Sequence, residues 1–297
     1  MPNTLAHIGI QGFTTRPFLT NKDIKWIYLG CIIPDIPWIL QRIVKFAGMG
    51  VNPYNLRLYA VVQSSLLLCV ILSFAIAMFS IYYWKTFVIL SINSLLHLLL
   101  DACQIKWANG VQLFAPFSWK LTNFGFFWPE SIPTYLLTAI GLLFFILVWK
   151  KAISGELDLK FNSSLRSIGF ILLLVVYLIS PLFLLNKSEK QDNHFVHTLR
   201  NYEDREGKYV ELDRKAYDST TKKISLFSNE EINAKGIELN KSKILSVKGT
   251  FIGPDTILVS EYHVHNDLLR DGASYVGLSL ILILWVVTFI NHNRKKE

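Results

Sequence analysis

The sequence predicts a membrane α-helical bundle, of about five transmembrane helices plus a re-entrant or interfacial N-terminal segment, joined to a small extracytoplasmic all-β barrel domain. Three observations carry this. Of 297 residues, 52% are hydrophobic and only 18% charged, and the mean hydropathy is +0.35, which is too apolar for an ordinary soluble enzyme. Apolar runs long enough to cross a bilayer recur along the chain. Residues 187–272 then change character, carrying β-branched and aromatic residues at period two between polar turns. The expected organisation is a membrane helical domain over 1–186, an extracytoplasmic β domain over 187–272, and a last transmembrane helix with a basic cytoplasmic tail over 273–297.

Residues 1–25 are mixed in character and read as a short helix or loop at a membrane surface, with His7 early in it. The opening MPNTLAHIGIQGF lacks the basic region, apolar run and cleavage site of a secretory signal, so the mature chain is expected to start near Met1. Residues 24–46 are apolar but interrupted by Pro34, Asp35 and Pro37. Prolines break a helix, and lipid cannot satisfy the backbone groups they free, so a re-entrant or interfacial helix pair is expected there. Residues 57–84, with the run LLLCVILSFAIAMF, read as one transmembrane helix, and 86–101 returns across the membrane. The aromatic, Gly- and Pro-rich stretch 102–131 suits an interfacial cap. Spans at 132–149, 165–185 and 273–290 complete the membrane part. Within 187–272, segments such as KYVELD, KILSVKGTFIG and TILVSEYHV predict a small antiparallel barrel of about five strands. The run KGTFIGPDTILVSEYHVH resembles the later strands of small OB-fold domains.

A formal net charge of +8 would suit a nucleic-acid partner, but its distribution argues against one. Residues 187–272 hold 14 basic and 15 acidic side chains, whereas the remainder holds 16 basic and 7 acidic. The excess flanks the spans, where it reports topology and contact with membrane lipid. Lys150, Lys151, Lys160 and Arg166 form one basic cluster and Arg294, Lys295 and Lys296 another, and both should be cytoplasmic. That puts 187–272, the cap at 102–131 and Asp101 outside. Five spans would also put the N-terminal region outside, against the side expected for Arg16, Lys22 and Lys25. Cys31, Cys69 and Cys103 lie in or beside apolar stretches and form neither a disulfide framework nor a CxxC site.

Before Glu156 the chain has four acidic residues, Asp23, Asp35, Asp101 and Glu130, and two histidines, His7 and His97. The stretch LSINSLLHLLLD places His97 and Asp101 four residues apart, on one face of a helix. An imidazole and a carboxylate are costly in apolar surroundings unless something binds them. That partner is a metal ion or, more simply, an interhelical hydrogen bond. Four ligands of the His/Asp type fit a Zn2+ or similar divalent site with room for water. His7 and Asp35 would have to converge on the pair from the N-terminal region. Asp23 and Glu130 read as solvated, as do His194 and His197. His263 and His265, two apart on one strand, read as exposed strand histidines rather than ligands. No GxSxG, Walker-type loop or dinucleotide fingerprint is present.

MPNTLAHIG, GCIIPDIPW and HLLLDACQIKWANGVQLFAPFSW resemble the three signature blocks of the YdjM-like bacterial inner-membrane proteins, described as membrane-bound metal-dependent hydrolases. The resemblance covers residues 1–119. It implies a multi-pass protein of the bacterial inner (cytoplasmic) membrane, with a divalent metal, Zn2+ by preference, held by His7, Asp35, His97 and Asp101. Asp35, His97 and Asp101 would carry catalysis. One departure stands out: the family's His-Arg and His-Ser elements correspond here to NLRLYAVVQSS, with Arg57 and Gln63-Ser64 and no histidine. Glutamine is a poor zinc ligand, so a multi-metal site would be reduced. The expected function is hydrolysis of an ester or phosphoester, lipid-linked or small, at the outer membrane face. The alternative is a non-catalytic membrane protein whose β domain binds a ligand or protein partner beside a structural or vestigial metal site. Neither reading calls for nucleic acid.

Overall fold

The structure, a computed structural model, describes residues 3–154, 159–160, 163–191 and 193–294. Helix α1 (Thr4–Thr15) starts at Asn3, whose side chain accepts from Ala6 N–H at 3.0 Å. Helices α2 (Ile24–Ile32) and α3 (Ile36–Phe46) are joined by a single 3-10 turn, Ile33–Asp35. The expected helix pair with its break at Asp35 is present, and together Asn21–Phe46 is also long and apolar enough to cross a membrane. Pro34 and Pro37 fall in the first positions of the turn and of α3, where a missing N–H costs nothing.

A second break falls within 57–84, expected to be one helix. There α4 (Pro53–Gln63) and α5 (Leu66–Ala77) meet at 68°. Ser65 is extended (φ −64°, ψ 152°), and the Leu66 N–H leaves the helical ladder for Gln112 O at 3.1 Å. Helices α6 (Tyr83–Ala102), α7 (Ile132–Ser154) and α8 (Ser164–Gln191) follow. Only 11% of the most apolar stretch of α8 is buried within the protein, as expected of a surface that faces lipid.

Beyond a single turn α9 (Thr198–Arg200) come β1 (Tyr209–Asp218), β2 (Lys223–Ser225), β3 (Glu231–Lys235), β4 (Lys243–Gly253) and β5 (Thr256–Val264). They close a barrel in the order β1-β2-β3-β5-β4, antiparallel except for the β3–β5 pair, and fit the expected OB-like barrel. Alternate residues such as Val210, Leu212, Ile232, Val247 and Ile257 fill its core. The Arg205 guanidinium, 1% exposed, pairs with Glu230 and donates to Leu199 O and Pro254 O. Helix α10 (Asp267–Arg294) leaves the barrel, and Arg270–Asn291 within it is the fifth candidate span.

The barrel sits on one end of the bundle. Lys45 Nζ donates to Phe227 O (2.6 Å), Tyr54 Oη to Leu199 O (3.1 Å), and the Ala108 N–H to Glu211 Oε2 (2.7 Å). At the other end Lys85 pairs with Asp23 (2.6 Å), Ser80 bridges to Leu159, and Arg166 donates to Ser80 O (2.6 Å). The bent pair α4–α5 also runs from one end to the other, so the five candidate spans become six if the pair is counted as one. Arg16 and Lys22, in the turns before Asp23, fall at the end away from the barrel.

Helix α1 lies against α7 at unusually close range. A Cβ on Gly141 would fall 1.9 Å from Leu5 O, and one on Gly9 would fall 2.1 Å from Gly141 Cα, so both positions require glycine.

Candidate metal centre

His7 projects from α1, Asp35 from the turn between α2 and α3, and His97 and Asp101 from the last turns of α6, all toward one point at the barrel end of the bundle. The His7 and His97 rings stack with centroids 3.7 Å apart and planes 4° from parallel. Asp101 faces both, with Oδ1 3.5 Å from His7 Nε2 and Oδ2 3.7 Å from His97 Nε2. Asp35 Oδ1 lies 3.6 Å from His97 Nε2. Ligand atoms of His7, His97 and Asp101 all lie within 4.8 Å of one another, and Asp35 stands just outside that triad.

These separations are too long for hydrogen bonds. His7 Nε2, His97 Nε2 and Asp101 Oδ1 are buried with no hydrogen-bond partner. Three such groups converging in the protein interior is costly, and an ion is the partner that satisfies all of them at once. Bonds of roughly 2.0–2.2 Å in a tetrahedral set put neighbouring ligand atoms about 3.3–3.6 Å apart, close to the spacing found here. The donor set therefore fits a divalent metal ion.

The surroundings orient the rings as ligation requires. His97 Nδ1 donates to Cys31 O at 2.6 Å, which leaves the Nε2 lone pair free. The Gln11 amide is oriented by Asn93, whose main-chain oxygen accepts from it at 3.1 Å, and its other terminal atom meets His7 Nδ1 at 3.5 Å. Lys106, 5% exposed, places Nζ 3.3 Å from Asp101 Oδ2. Neither Gln11 nor Lys106 was singled out from sequence. Gln11 carried a legible signal, being four residues from His7 on one helix. Lys106 sits in an irregular stretch after α6 that offered none.

Gln63 does not stand in for a ligand. Its amide donates to Tyr59 Oη (3.2 Å) and Tyr177 O (3.4 Å), tying α4 to α8.

A second group departs from expectation. Solvated or exposed positions are expected for Glu130, His263 and His265, yet His265 is 4% exposed and the Glu130 side chain 10%. His265 Nδ1 meets Glu130 Oε1 at 2.9 Å, its Nε2 meets Ser246 Oγ at 2.8 Å, and Arg214 pairs with the same Glu130 oxygen. Trp128 stacks on His263 at 3.7 Å. Burial alone would raise the Glu130 pKa, but the His265 hydrogen bond and the charges of His265 and Arg214 bring it down to about 2. With a guanidinium present and both His265 nitrogens engaged, this cluster acts as an ionic joint between cap and barrel. His197 is 45% exposed and hydrogen-bonds Asn201, while the side chain of His194 lies outside the described residues.

The chain matches no family model, no curated protein and no solved structure.

Proposed function

We propose that this protein is a membrane-bound, metal-dependent hydrolase that cleaves an ester or phosphoester at the outer face of a bacterial inner membrane. The observation that carries the reading is the set of buried, unpartnered atoms His7 Nε2, His97 Nε2 and Asp101 Oδ1 around one point. A divalent ion held there, Zn2+ by its N/O donor set, supplies Lewis-acid polarisation of the scissile group and acidification of water. His7, His97 and Asp101 are the ligands. Asp35, whose side chain is 17% exposed, reaches the set from the accessible side and is placed to take a proton from water. Lys106 offsets the charge of Asp101. The orientation follows from charge: six passages put Arg16, Lys22, Lys85, Lys160 and Arg166 on one side, which the positive-inside rule makes cytoplasmic, and the centre and barrel on the other.

The structural alternative draws on Lys106, which already gives Asp101 a cationic neighbour, and on Gln63, which stands where the family carries a histidine. Hydrolysis of a panel of esters and phosphoesters by metal-depleted and Zn2+-reconstituted protein separates the two. Turnover restored by metal in the wild type and absent from His97→Ala supports the enzyme. Stoichiometric metal without turnover on any substrate would favour a structural site.

A further inference from the structure

A cavity of about 430 Å3 lies between the metal centre and the barrel. Asp101 and Lys106 form part of its wall, so the cavity adjoins the centre directly. The rest of the wall is cationic: Arg42 of α3, Arg57 of α4, Arg214 and Lys215 of β1, and Arg270 of α10 join Lys106, against Asp101, Asp213 and Asp271 in the wall and Glu130, which pairs with Arg214 from outside it, so cations outnumber carboxylates six to four.

The barrel is built to contribute to this wall. A regular strand turns successive side chains to opposite faces, yet Asp213, Arg214 and Lys215 all line the cavity. They do so because the β1–β4 register slips between Leu212 and Lys215, with Arg214 at φ +50°, a conformation costly for a residue other than glycine. Strained bulges of this kind re-aim side chains at functional sites. Burial, and then the neighbouring charge of Arg57, lower the Lys215 pKa to about 8 despite the opposing pull of Asp213. Excess positive charge is thus held in a confined space. A neutral carboxylic ester brings no negative charge to offset it, whereas a phosphate ester does.

We propose that the cavity binds the phosphate group of a phosphoester substrate, with Arg57 of the bundle and Lys215 of the barrel among the groups that hold it. The proposal rests on the hydrolase reading and narrows its substrate class. It also makes the barrel part of the substrate site rather than a separate binding module.

The test uses the full chain, Zn2+-reconstituted in phosphatidylcholine nanodiscs, with two probes: inorganic phosphate in solution and phosphatidic acid in the disc, against diacylglycerol as the uncharged control. Phosphate-group binding should weaken by about tenfold or more in Arg57→Met and in Lys215→Met. Lys215→Arg should retain it, as should Lys241→Met, an exposed barrel lysine outside the cavity wall. Metal content should stay at the wild-type level in all four variants. Binding of phosphatidic acid alone marks a lipid headgroup as the source, and equal sensitivity with inorganic phosphate marks a soluble one; both support the proposal. Full metal content with neither probe bound, or with binding indifferent to both substitutions, overturns it and leaves the metal centre standing. Binding that depends on both cations in protein unable to hold metal supports the cavity and overturns the hydrolase reading instead.

Discussion

Glu130→Gln tests how the barrel is held on the bundle. The Glu130 pKa falls from the ordinary 4.5 to about 2, against the effect of burial, through His265 and Arg214. A fall from 4.5 to about 2 corresponds to roughly 3 kcal/mol of gross interaction. Solvent at the open edge of the joint screens part of this, leaving roughly 1–2 kcal/mol. Because the folded-state pKa is depressed, this contribution is complete above pH 4.5 and is lost as the pH falls toward 2. Glu130→Gln removes it at every pH. Thermal unfolding at pH 7, followed in the full chain, should show the variant melting a few degrees below the wild type. Between pH 4.5 and 2 the wild type should lose an increment that the variant lacks. Equal midpoints at pH 7 together with parallel acid profiles would refute the joint.

Three further perturbations act at separate places. Gln11→Ala removes the group that meets His7 Nδ1, and competition with a chelator should show metal affinity reduced about 10- to 100-fold with the ligands intact. Gly141→Ala forces a methyl against Leu5 O, so thermal unfolding should register a loss of about 1–3 kcal/mol, and displacement of α1 should lower metal content through His7. Arg205→Met leaves the partly buried Glu230 carboxylate without its guanidinium, and denaturant unfolding of the barrel should show a cost of about 3 kcal/mol.

The residues of the candidate metal centre were legible because acids and histidines are scarce before Glu156 and because His97 and Asp101 share a helical face. Their convergence with His7 depends on the close approach of α1 and α7 at Gly9 and Gly141, a tertiary fact that no local spacing encodes. The breaks in 24–46 and 57–84 have different origins. Pro34 and Pro37 were legible as the break, and they sit at the first positions of the turn and of α3, where a missing N–H costs little. Ser64-Ser65 carries no strong breaker, and the bend is held by the distant Gln112 carbonyl. The strands were legible from period two, but the burial of Glu130 and His265 is not local. It arises only when the barrel docks on a cap far away in sequence.

The claim that His7, His97 and Asp101 hold a divalent ion is tested most directly by metal analysis of the purified full chain by inductively coupled plasma mass spectrometry, before and after Zn2+ supplementation. About one tightly held ion per chain is expected in the wild type, with loss in His7→Ala and His97→Ala variants that still fold. A wild-type chain that takes up no divalent ion, or variants that retain it undiminished, would contradict the assignment.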